Sequence, residues 1–99
     1  MGFFSNMNAI RKINVLIKQL EPKLDYIASE LQYPHFVNKQ RLRMECGTVS
    51  VLMTEISDIL ENAGQSVFTA TYFFKGRKIT IMDLHELAAS LVQEAGRLL

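Results

Sequence analysis

The chain has 99 residues, of which 48% are hydrophobic and 21% charged, with a formal net charge of +1. That length suits one domain over residues 1–99, and that composition argues against a disordered segment and against a membrane protein. A protein that coats nucleic acid is usually far more basic, and a single cysteine, Cys46, leaves no internal disulfide and points to a cytoplasmic location.

The opening residues Met1–Ser5 lack the basic leader and long apolar stretch of a secretory signal. Gly2 is not followed by the Ser or Thr that a myristoylation motif needs, because Asn6 stands there. From the start of the chain no membrane attachment is expected.

Ile10, Ile13, Ile17, Leu20, Leu24, Ile27 and Leu31 follow one another at alternating spacings of three and four. This predicts a first helix over residues 8–32 with a narrow apolar seam. Pro22 falls within it, on the face opposite the seam, where solvent can satisfy the carbonyl that proline leaves bare. Pro34 disfavours helix at Tyr33 and ends this element.

Leu42, Cys46, Val49, Met53, Ile56, Leu60 and Ala63 form a second seam of the same kind, predicting a helix over 38–63. Asn38 suits its N-cap and Gly64 its C-terminal stop. The short connection favours an antiparallel pair in which Ile27 meets Leu42 and Ile13 meets Ile56. Charge agrees, since each helix begins basic and becomes acidic, which places unlike halves side by side. Lys23 and Glu45 are the exceptions. Gly47 lies level with Pro22, so the two read either as tolerated exposed positions or as a shared hinge.

Val67–Phe74 is almost wholly β-branched or aromatic, and Lys75-Gly76 precedes Arg77–Ile81. A β-hairpin over 66–81 follows, with a short helix as the alternative for its first half. A last helix over 83–97 begins at Asp83, which with Glu86 resembles a capping box; Thr80 with Asp83 is a competing start. The predicted class is therefore mainly α, or α+β if the hairpin forms.

A helix of about 16 residues is roughly 24 Å long and cannot cover a hairpin of helices roughly 37 Å long. The stripe Ala9, Leu16, Leu52 and Ile59 offers it a docking face at the open end. The loop end would then expose an apolar strip of Leu24, Ile27, Leu31, Leu42 and Met44 beside Tyr33 and Phe36. Such a strip calls for a partner, most simply a second copy in a two-fold dimer, or another protein.

Candidate chemistry is sparse. His85-Glu86-Leu87-Ala88-Ala89 lacks the second histidine of the zinc-protease pattern His-Glu-x-x-His. Cys46 sits in the seam as a small hydrophobe. No catalytic residue, metal site or cofactor is expected, and the chain reads as a non-catalytic interaction or assembly module rather than an enzyme. The alternative is a nucleic-acid contact through the hairpin tip, where Lys75, Arg77 and Lys78 adjoin Tyr72.

Overall fold

The computed structural model describes residues 3–99, so the reading made at Gly2 lies outside the described residues. Helix α1 spans Phe3–Gln32 and α2 spans Lys39–Asn62, joined by a 3-10 turn at Pro34–Phe36. Strands β1 (Thr71–Phe74) and β2 (Arg77–Thr80) pair antiparallel, and α3 spans Ile81–Gly96. The protein is mainly α with a small β-hairpin.

α1 begins at Phe3 rather than at residue 8, since no glycine or proline separates Phe3 from the seam and propagation costs little once a helix is nucleated. It passes unbroken through Pro22, which is exposed on its outer side. At the start of α2 the Asn38 side chain accepts the Arg41 N–H at 3.1 Å. At its end Gln65 N–H donates to the Leu60 carbonyl and Gly64 N–H to that of Glu61, both at 3.0 Å. Gly64 adopts φ +72°, a conformation that costs a side-chain-bearing residue energy. Gly64→Ala is expected to lower stability by about 1 kcal/mol in urea unfolding.

Gly47 is different. It lies in the helix interior and a Cβ built there meets nothing within 4 Å. Gly47→Ala should raise stability by roughly 0.5–1 kcal/mol through helix propensity and a less flexible unfolded chain. A loss of stability in the same urea titration would mean that the glycine is needed for bending.

The two long helices run antiparallel along their seams. Lys23 meets Glu45 at 3.1 Å, and one turn away the Arg41 guanidinium stacks 4.2 Å above the Tyr26 ring. Lys23 and Glu45, the two departures from the charge pattern, are thus partners of each other. Ile13, Ile17, Leu20, Leu24 and Ile27 bury against Leu42, Val49, Met53, Ile56 and Leu60.

The hairpin turns at Lys75 and Gly76, with φ +52° and +79°, the two positive values that match the twist of adjoining strands. Its pairing runs from Thr71 opposite Thr80 to Phe74 opposite Arg77. Residues 66–70, expected as strand, form a turn instead. The Ser66 carbonyl accepts from Thr69 and Ala70, and its hydroxyl from Phe68, which draws those N–H groups away from any ladder.

α3 starts two residues earlier than Asp83. Thr80 is its N-cap, accepting the Asp83 N–H at 3.1 Å. Ile81 and Met82 donate to the Ala70 and Val67 carbonyls, so the hairpin base satisfies donors that a free helix start would leave bare. This anchors α3 at the open end. From there it runs back beside α2, where Ala88 and Val92 line a groove with Val49 and Met53. Docking therefore takes place on the side of the pair opposite to the stripe Ala9, Leu16, Leu52 and Ile59. Residues such as Met53 serve two neighbours at once, a double use that a one-dimensional pattern does not display.

Candidate interaction surfaces

The expected apolar strip divides in two. Leu24, Ile27 and Leu42 are buried within the core, and Leu31 packs partly against it. The sequence pattern places them at the surface, and the structure places them in the core. The α1–α2 seam closes on itself at the loop end, where Tyr26 and Val37 also pack against the core. The other three stay outside: Tyr33 is 64% exposed, Phe36 86% and Met44 66%. All three lie at the loop end, within the 3-10 turn, its flank and the second turn of α2.

The basic tip is also partly committed. Tyr72 is only 7% exposed and its hydroxyl donates to Gln65 Oε1 at 3.1 Å, so it is a packing residue and not a free stacking platform. Burial pushes its phenol pKa up. Lys75 lies across α1, its backbone N–H donating to Glu21 and its ammonium to Asp25, each at 2.5 Å. Arg77 and Lys78 remain exposed, and Lys78 stands opposite Phe73, which is 60% exposed.

A third surface was not singled out by the sequence. Between α1 and α2, on the side away from α3, lies an open groove of about 490 Å³. Val15, Leu16 and Ile59 line its floor and sides, with Arg11 and Lys12 at the α1 edge and Glu55 at the α2 edge. Farther toward the loop end the same side is closed by the Lys23–Glu45 and Arg41–Tyr26 contacts. The sequence signal for it is the stripe Ala9, Leu16, Leu52 and Ile59, a pattern that reads equally well as a docking face for α3, which packs on the other side.

Cys46 is buried in the seam, and loss of solvation, then the neighbouring Glu45 carboxylate, hold its thiol above the ordinary 9.0. The folded state therefore keeps its proton where the unfolded chain loses it. Stability is expected to be fully present below the ordinary thiol value and to fall as pH rises through the folded one. Cys46→Ala should flatten that alkaline decline in a pH series of urea midpoints. His85 lies on α3 beside the α2–α3 groove, and His35 is exposed in the turn. Among the described residues no group of three or more His, Cys, Asp or Glu side chains could hold a metal ion. Among them, too, no helix is long and apolar enough to cross a membrane.

The class defined by these elements is a three-helix assembly of one long helical pair, a shorter third helix and a β-hairpin laid against them. No family model, curated protein or solved structure matches the chain.

Proposed function

We propose that the protein is a non-catalytic interaction or assembly module that works through its helix faces and the turn between α1 and α2. The observation that carries this reading is Phe36, 86% exposed, with Tyr33 and Met44 close by in sequence and comparably open. An apolar side chain of this size left in water forgoes about 1.5–3 kcal/mol of burial energy that a partner can supply. Exposed aromatics are also the residue types that dominate binding energy at interfaces.

The test uses surface positions, because charges at Ile27 or Leu42 would strike the core. Tyr33→Ser, Phe36→Ser and Met44→Ser are combined in one chain, and retention of helix content is confirmed by circular dichroism. Partners captured by the unaltered protein are purified and titrated directly by calorimetry. The altered chain is expected to bind at least about tenfold more weakly, a difference of about 1.4 kcal/mol. Equal affinity for every such partner would remove the support for this reading.

The nucleic-acid alternative now rests on Phe73, Arg77 and Lys78, since Tyr72 and Lys75 are engaged within the chain. Lys78→Ala with Arg77→Ala should weaken any such binding and flatten its salt dependence, measured with a labelled single strand. No binding of the unaltered protein at low salt would end that reading.

A further inference from the structure

We infer that the groove between α1 and α2 receives a second copy of this chain, with the two-fold axis running parallel to the helices. The inference rests on the reading of the protein as an assembly module, and names the partner of one of its faces. The groove is apolar along its middle, where Leu16 is already buried as its floor and Ile59 is half-buried, and Val15, 56% exposed, stands at its margin. Its two edges differ in sign. Arg11 and Lys12 stand on the α1 side and Glu55 on the α2 side; Asp58, three residues beyond Glu55, lies just outside the groove on the outer face of α2. All four charged residues are exposed, and none belongs to an ion pair among the described residues.

A two-fold interface needs a surface complementary to itself. Rotation about an axis parallel to the helices sets α1 of each copy over α2 of the other, antiparallel and at the same height. Arg11 and Lys12 of one copy then face Glu55 of its partner, with Asp58 just beyond it, and the same contact is made twice. Rotation about an axis across the helices would instead set α1 over α1, bringing bases toward bases. Like charges in register oppose association, so the charges choose the first arrangement. Four helices then enclose Val15 and Ile59 from both copies, over the Leu16 floor that each chain already buries, the geometry of an antiparallel bundle. The Lys23–Glu45 and Arg41–Tyr26 contacts, already satisfied within the chain, leave the open half of this side as the contact region.

The experiment measures solution mass by light scattering behind size-exclusion chromatography over a concentration series, in low and in moderate salt. The unaltered chain is expected to pass from monomer to dimer, more readily in low salt. Arg11→Glu with Lys12→Glu, in one chain, should dissociate the dimer at least about tenfold more readily, and so should Glu55→Lys with Asp58→Lys in another. Mixed together, the two altered chains should form a heterodimer, because each acidic α1 then meets a basic α2 and each basic α1 an acidic α2. The Tyr33, Phe36 and Met44 variant should dimerise normally, which separates this inference from the loop-end surface. A monomeric unaltered chain at all concentrations, charge reversals without effect, or a mixture that stays monomeric would each overturn the inference.

Discussion

Ile27→Asp is expected to abolish the cooperative unfolding transition of the protein, and Leu42→Asp to do the same. Each side chain is wholly buried at the loop end of the α1–α2 seam. Loss of the aliphatic group forfeits roughly 1.5–3 kcal/mol, and an enclosed carboxylate adds several kcal/mol whether it stays charged or takes a proton. The total, on the order of 5 kcal/mol, is comparable to the whole stability of many domains. Phe36→Asp, only a few residues away, should leave the melting curve nearly unchanged, because surface substitutions rarely exceed about 0.5 kcal/mol. Thermal melts followed by circular dichroism distinguish the two. An Ile27→Asp chain melting like the unaltered one would contradict the closed seam.

Tyr72→Ala should have the next largest effect, about 3–5 kcal/mol, the range found when a large aromatic is removed from a core. Tyr72 is the one buried residue of the two strands, and its ring joins them to the core shared by the three helices. Tyr72→Phe removes only the hydroxyl bond to Gln65 and should cost about 1 kcal/mol. Hydrogen exchange locates the loss: amides of Thr71–Phe74 and Arg77–Thr80 should lose protection in the alanine variant before those of α1 and α2. By comparison, Lys75→Ala should cost no more than about 1 kcal/mol, since its pairing with Asp25 is exposed to water. Equal effects of Tyr72→Ala and Tyr72→Phe would mean that the hairpin is held by its polar contacts instead.

The long helical pair was legible because its signal is one-dimensional. Two heptad seams, Asn38, Pro34 and Gly64 each act within a few residues of themselves, and so they appear directly in the order of the chain. The hairpin tip at Lys75-Gly76 was legible for the same reason. What the pattern did not reveal was the side on which α3 packs. Ala9, Leu16, Leu52 and Ile59 looked like a docking stripe, whereas α3 uses Val49 and Met53, residues already assigned to the seam. The same blind spot placed Leu24, Ile27 and Leu42 at the surface, because closure of the loop end depends on residues of separate elements, Tyr26 on α1 and Val37 in the connection, packing against one core. Tyr72 shows the limit most plainly. A basic, aromatic tip has one composition whether its rings face solvent or core, and only the strand register decides.

The attachment of α3 to the hairpin base also has a consequence for biosynthesis. A ribosome delivers α1 and α2 first, and their contacts are near enough in sequence for a helical pair to form early. Until the hairpin and α3 emerge, that pair presents its apolar flank, including Val49 and Met53, to the surrounding fluid. Nascent chains on one messenger sit close together, and exposed flanks of this kind favour promiscuous sticking. The turn at Ser66–Ala70 shortens the interval. It accepts the first N–H groups of α3 as soon as they appear, so the last wall of the core is seated from its own beginning.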